Sequence, residues 1–277
     1  MRVRRIAFAG VLLIGCGKAV KPPASLAESA ATVLDKARAR PVAGPARVRF
    51  NIHLDSPNLH VNGSTGGGLI IAAPAGRMDL FGPLGNAVAT FATDGERVDI
   101  VSGRDHSWLY AEDAQQALLD LTGGAAGIGD VLGVLVGDLP FDDARARSLK
   151  MTDDGKVRVS LQGPDKTAVD ALIDPSTDTP IRVEAHDADG ALVLAADYDG
   201  FTPVDESGVL APEAVTLHLP LLDLTLDLKF RAWKPIAPDD VDPKVFHPAV
   251  PDAFAKAPLE DALHRAIDEV SPPDARP

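Results

Sequence analysis

Apolar and polar residues alternate through most of the chain beyond Arg47. In the clearest run, leucines at 222, 224, 226 and 228 and the phenylalanine at 230 alternate with charged or hydroxyl residues. A period of two predicts β-strands with one buried and one solvated face, which favours an antiparallel sheet. Asp-Gly pairs at 94–95, 154–155 and 189–190 predict hairpin turns. The predicted strands are 47–55, 59–72, 77–81, 87–93, 97–102, 107–110, 148–152, 156–162, 168–173, 181–186, 191–198, 214–219 and 222–233.

Two segments have the spacing of amphipathic helices. Residues 25–40 begin at Ser25, with Glu28 three positions further on as in a capping box, and Pro41 closes the segment. Residues 112–121 predict a second helix, which the glycines that follow it would end.

A third helical segment, 128–136, lies between the two groups of strands. Ile128, Val131, Leu132 and Leu135 are spaced i, i+3, i+4, i+7 and form one apolar face. The glycines at 129, 133 and 137 each weaken the helix by about 1 kcal/mol relative to alanine. This weak apolar helix would act either as a movable lid over the apolar face of the sheet or as a fixed plug of the core.

The first sixteen residues have the pattern of a secretory signal. A basic start, Met1–Arg5, precedes nine apolar residues, which are too few to cross a bilayer, since a spanning helix needs about 20. The run ends in Leu13-Ile14-Gly15-Cys16, which resembles the lipobox of bacterial lipoproteins. That resemblance implies acylation of Cys16, and Gly17 in place of an aspartate implies the outer membrane. An ordinary secretory signal with an incidental cysteine is the alternative.

The chain is thus expected to have four parts. A signal peptide, 1–15, precedes a lipidated tether, 16–24, and a folded domain, 25–234. The remainder, 235–277, is acidic and Pro-rich, and predicts an extended or partly ordered tail with a short helix over 259–270. Two or more acyl chains hold a protein firmly on a membrane, at about 0.8 kcal/mol per buried methylene, so the anchor needs no spanning helix.

Composition excludes several classes of function. The 277 residues include 27 Lys+Arg and 40 Asp+Glu, which gives a net charge of −13. Such a chain repels phosphate backbones and anionic membrane surfaces, so nucleic-acid binding and electrostatic membrane attachment are disfavoured. Hydrophobic residues, at 45%, suffice for a core, whereas a single cysteine excludes an internal disulfide.

The sequence lacks the common catalytic motifs. It contains no G-x-S-x-G elbow, P-loop or dinucleotide fingerprint. The seven histidines include no pair at the helical spacing of metal ligands, and the His186–Gly190 segment favours a hairpin turn over a calcium loop. We therefore expect no enzyme, metal or cofactor; a hydrolase with an unrecognised site is the remaining alternative.

Several short segments follow the lipobox in a fixed order. They are RMDLFGPLG at 77–85, WLYAEDAQQALL at 108–119, VLVGDLP at 134–140, PEAVTLHL at 212–219 and LDLKFRAW at 226–233. Their order and spacing resemble the LolA/LolB lipoprotein-carrier superfamily, and more closely its outer-membrane lipoprotein receptors (LolB). The resemblance covers roughly residues 47–234.

The resemblance implies a mainly β fold with some α, in which an antiparallel open half-barrel has helices covering its concave apolar face. It implies that this face binds acyl chains of lipoproteins or lipids, so we expect a hollow beneath 128–136. Leu84 matches a loop leucine that helps to pass lipoproteins into the outer membrane. The expected cavity and lid residues are Met78, Leu80, Leu118, Ile128, Val131, Leu132 and Leu135.

The same resemblance implies the protein's surroundings. It predicts an outer-membrane-anchored protein that faces the periplasm, with acylated lipoproteins or lipids as partners and a periplasmic carrier protein as the donor. We expect the chain to be a monomer. The alternative is a structural or sensing envelope lipoprotein with the same fold, a filled interior and no transport role.

Overall fold

The computed structural model describes residues 24–41, 43–57, 61–122, 124–140, 145–163, 166–206 and 208–270. The predicted signal peptide, the lipidation site Cys16 and the tether up to residue 23 lie outside the described residues. No helix within the described ranges is long and apolar enough to cross a membrane.

The described residues form one fourteen-stranded sheet with four α-helices. The helices are α1 (Ala24–Ala39), α2 (Ala114–Leu121), α3 (Ile128–Leu135) and α4 (Leu259–Val270). The strands are β1 (Ala46–Ser56), β2 (Val61–Ala72), β3 (Ala75–Phe81), β4 (Ala87–Thr93), β5 (Val98–Ser102), β6 (Ser107–Ala111), β7 (Arg145–Met151), β8 (Val157–Gln162), β9 (Ala168–Asp174), β10 (Thr179–His186), β11 (Leu192–Pro203), β12 (Leu210–Leu219), β13 (Leu224–Pro235) and β14 (Ala255–Pro258).

The sheet is open and almost wholly antiparallel. Its order is β14-β6-β5-β4-β3-β2-β1-β13-β12-β11-β10-β9-β8-β7, and only β14 and β6 pair in parallel. The long antiparallel pair β1–β13 joins a half made of β1–β6 to a half made of β7–β13. The predicted mainly β, open half-barrel architecture is confirmed.

Period-two alternation decides which face of each strand is buried. In β1, Val48, Phe50 and Ile52 are buried while Arg49 and Asn51 between them are exposed. The same alternation runs through β8 and β9, so the sheet has one apolar face, called here the inner face, and one polar outer face. The glycines of the three predicted Asp-Gly turns all have positive φ, which the turns require and which glycine adopts without strain.

Helices α1, α2 and α3 cover the inner face. The first turn of α2 is fixed by Asp113, whose side chain accepts a hydrogen bond from the backbone N–H of Gln116 at 2.8 Å. The predicted bounds of the three helices agree with the structure to within two residues at each end. The two short helices bury one face because their apolar residues recur at helical spacing.

Residues 235–270 return to the sheet. After two short 3₁₀ turns, β14 pairs with β6 and α4 follows it directly. Phe246 is buried, and Arg77 of β3 donates a hydrogen bond to the carbonyl of Val245 at 3.0 Å. This part of the predicted tail thus covers the edge of β6, which would otherwise present unpaired backbone groups. The predicted helix over 259–270 is confirmed as α4.

Candidate functional site

The inner face of the sheet carries two adjoining apolar clusters. The first, here the α1 cluster, packs α1 residues such as Val33 and Leu34 against buried side chains of β8–β12. The second, here the α3 cluster, packs α2 and α3 against β1, β2 and their neighbours. Val131, Leu226 and Phe230 contact both clusters, so α3 lies at the seam of the two halves.

All seven predicted cavity and lid residues belong to the α3 cluster. Ile128, Leu132 and Leu135 project from α3 into the sheet and are only 3%, 3% and 6% exposed. Leu118 of α2 is buried beside them. The other three, Met78, Leu80 and Val131, are half-buried and pack against the same cluster.

The buried side chains of α3 pack directly against the sheet. Leu132 lies so close to β3 that a Cβ built on Gly76 would come within 3.0 Å of its Cδ2 atom. Open space adjoins the helix in a cleft of about 580 Å³, which Leu132 also lines. The cleft has a mixed lining, with Ile71, Val136 and Leu139 on its apolar side and Asp130 among its polar residues.

The start of α3 depends on polar contacts. The backbone N–H of Gly127 donates to Oδ2 of Asp130 at 2.9 Å, and the N–H of Ile128 donates to Oε1 of Gln115 at 3.3 Å. These side chains satisfy two of the N–H groups that every helix start leaves open. The second contact also joins α3 to α2, so the two helices form one cover.

The end of α3 is held by two side chains from outside the predicted site. The hydroxyl of Tyr198 on β11 donates to the carbonyl of Val134 at 2.7 Å. Arg40, directly after α1, donates from Nη1 to the carbonyl of Leu210 at 3.1 Å and from Nη2 to the carbonyl of Gly137. Arg40 thereby links the covers of both clusters. These two residues are called here the latch.

Burial shapes the charge state of the latch. It raises the pKa of the Tyr198 phenol, so the hydroxyl stays protonated and available as a donor. It also lowers the pKa of the Arg40 guanidinium, and the nearby Asp138 carboxylate opposes that shift. The latch was not predicted from the sequence, because its acceptors are backbone carbonyls, which leave no pattern in the side chains.

Leu84 lies at the tip of the β3–β4 hairpin and is 94% exposed. The turn is closed by hydrogen bonds from Gly82 N–H to the carbonyl of Asn86 at 2.8 Å and from Gly85 N–H to the carbonyl of Gly82 at 2.9 Å. Gly85 has φ +78°, a conformation that favours glycine. The turn therefore exposes Leu84 to solvent, where its side chain does not contribute to the buried core.

Comparison with solved structures shows the same fold elsewhere. A LolA superfamily protein from Nitrosomonas europaea is 15% identical with a TM-score of 0.52, over 79% of this chain and 97% of that chain. A domain assigned to outer membrane lipoprotein sorting, from Vibrio parahaemolyticus, is 12% identical with a TM-score of 0.53, over 79% and 99%. A DUF1329 family protein from Desulfovibrio piger is 7% identical with a TM-score of 0.54, over 82% and 99%.

No protein-family model and no curated protein matches the chain. At these identities the structural likeness establishes the fold, and the resemblance to the LolA superfamily fold is confirmed.

Proposed function

We propose that this protein is an outer-membrane-anchored lipoprotein that binds acyl chains of lipoproteins or lipids on its inner face and helps to localise them to the outer membrane. The observation that carries the proposal is the α3 cluster: seven apolar residues, four of them on the short, glycine-containing helix α3, pack together beside an open cleft. The LolA-type fold and the name of the Vibrio parahaemolyticus domain support it.

In the proposed mechanism, α3 moves off the sheet and an acyl chain takes its place. Uncovering the four buried side chains of α3, at positions 128, 132, 134 and 135, costs about 1.5–3 kcal/mol per side chain, or roughly 6–12 kcal/mol in all. Burying about twelve methylenes returns roughly 10 kcal/mol, at about 0.8 kcal/mol each. The two terms are of similar size, so the cover can open for an acyl chain and close again after its release.

The anchor and the exposed leucine complete the proposal. Cys16, acylated, would hold the chain on the periplasmic side of the outer membrane, and a periplasmic carrier would deliver the cargo. Leu84 would enter the membrane surface while cargo leaves the inner face. A net charge of −13 makes this contact apolar rather than electrostatic.

Delivery of a fluorescently acylated lipoprotein to vesicles tests the proposal. We expect Leu84→Glu to leave the thermal midpoint unchanged, because the side chain is 94% exposed, and to stop delivery. Leu221→Glu is the matched control, since Leu221 is also an exposed leucine, at 37%, but lies in the turn between β12 and β13. Delivery by Leu84→Glu at the unmodified protein's rate would refute the role of Leu84.

A second candidate function rests on the α1 cluster. Side chains of β8–β10 such as Val159, Val169 and Val183 are fully buried beneath α1, so this half of the interior is filled by the protein itself. A structural or sensing envelope lipoprotein would have such an interior. Mass spectrometry of protein purified without residues 1–16 separates the two functions: co-purified lipid supports the carrier, and protein free of lipid supports the alternative.

A further inference from the structure

Three side chains converge on the outer face of β9 and β10. Asp170 and Glu184 are direct cross-strand partners, and His186 lies two residues beyond Glu184 on the same face. One nitrogen or oxygen atom from each side chain lies within 4.8 Å of the other two. All three side chains are half-buried. This group is called here the outer-face cluster.

His186 is poised toward one of the carboxylates. Its Nε2 atom is shielded from solvent and has no hydrogen-bond partner among the described residues. It lies 3.7 Å from Oδ2 of Asp170. Two ligands of a tetrahedral zinc ion, each about 2.1 Å from the metal, lie about 3.4 Å apart. The spacing of these two atoms is therefore already close to that of a metal-bound pair.

Neighbouring side chains hydrogen-bond to both carboxylates of the outer-face cluster. The hydroxyl of Ser160 on β8 donates to Oδ1 of Asp170, which leaves Oδ2 toward His186. Arg182 donates from Nε to Oε1 of Glu184 at 2.8 Å, and its charge is shared with Asp197. Outer-shell hydrogen bonds of this kind orient the ligands of metal sites.

Two carboxylates opposite each other on neighbouring strands repel. A divalent cation between Asp170 and Glu184 would reverse that repulsion. One imidazole nitrogen with two carboxylate oxygens suits zinc and similar transition metals, whereas magnesium and calcium take oxygen ligands. We propose that Asp170, Glu184 and His186 bind a divalent transition-metal ion such as Zn²⁺, with one position left to water.

The site is separate from the proposed acyl-binding face. It lies on the polar side of β9 and β10, whereas the α3 cluster lies on the inner face of the other half of the sheet. A bound ion would tie β9 to β10 across their outer face. The metal site can therefore be tested without reference to acyl binding.

Calorimetric titration of the full-length, untagged protein in detergent with ZnCl₂, after removal of metals by a chelator, tests the site. We expect one ion per chain and at least a tenfold weaker affinity for His186→Gln. His218→Gln is the matched control, because His218 also lies on the outer face but bonds to Thr225 and lies outside the cluster. Its affinity should equal that of the unmodified protein.

Two calorimetric results would overturn the proposal: no saturable one-to-one binding, or an affinity of His186→Gln equal to that of the unmodified protein. A second measurement needs no variant. Zinc X-ray absorption of the unmodified protein should show an imidazole nitrogen together with oxygen ligands, and a spectrum with oxygen ligands alone would exclude the site. Zinc should also raise the thermal midpoint, since a ligand that binds only the folded state stabilises it.

Discussion

The latch on α3 leads to a prediction for Tyr198→Phe. The substitution removes the hydroxyl that donates to the carbonyl of Val134 and keeps the ring that packs in the α1 cluster. If the cover moves as proposed, the loss of this bond should favour the open state. The exchange of the α3 backbone amides with solvent should therefore become faster.

The structure sets the magnitude of this effect. A buried carbonyl left without a donor costs about 1–3 kcal/mol. The carbonyl of Val134 keeps one donor, however, because the N–H of Gly137 reaches it at 3.1 Å. The closed state of α3 should therefore lose stability near the lower limit of that range, about 1 kcal/mol. This loss corresponds to about a fivefold larger open population.

Hydrogen exchange followed by mass spectrometry measures this population. Peptides that cover 128–135 should exchange about fivefold faster in Tyr198→Phe, while peptides from β8 and β9 should not change. Tyr110→Phe serves as the control, since Tyr110 lies on β6 and its ring faces Lys256 rather than α3. Unchanged exchange of α3 together with a lower global stability would refute the argument, because the bond would then support the whole fold and not the cover.

Two further substitutions follow from the same structure. Leu132→Ala removes the side chain that packs α3 against β3, so it should lower the free energy of unfolding by about 2–5 kcal/mol. It should also tighten the binding of a fluorescent fatty acid, because the closed state of α3 competes with the ligand. Weaker binding by the folded variant would contradict this. The Lys156 ammonium, followed by Ser176, lowers the pKa of the Asp174 carboxyl from 3.8 to about 2. This pair therefore stabilises the fold above about pH 4 and ceases to do so as the pH falls through 2, so urea unfolding of Lys156→Met should depend less on pH across that range.

The predicted cover residues show how far local pattern reaches. Ile128, Leu132 and Leu135 were identifiable because helical periodicity marks a buried face whatever the helix packs against. The same periodicity could not separate a lid from a plug. That distinction depends on the space between the helix and the sheet, where the structure shows both close packing of Leu132 against β3 and a cleft lined by residues of α3.

The outer-face cluster shows what local pattern does not reach. Glu184 and His186 share one face of a strand, and this i, i+2 spacing is visible in the sequence. Asp170 joins them only through the register of β9 against β10. The latch residues Arg40 and Tyr198 were invisible for a related reason, since their partners are carbonyls distant in the chain.

The sequence by itself determined the elements of this protein: strands from period-two alternation, helices from their apolar spacing, and turns from Asp-Gly pairs. These features depend on residues close together in the chain and on which face of a strand or helix is apolar. Only the tertiary structure decided that β1 pairs with β13, that β14 covers β6, and that α1 covers one half of the inner face while α3 lies at the seam of the two. Those outcomes depend on contacts between residues far apart in the chain, where many pairings satisfy the same local pattern and only the packing of the whole selects one.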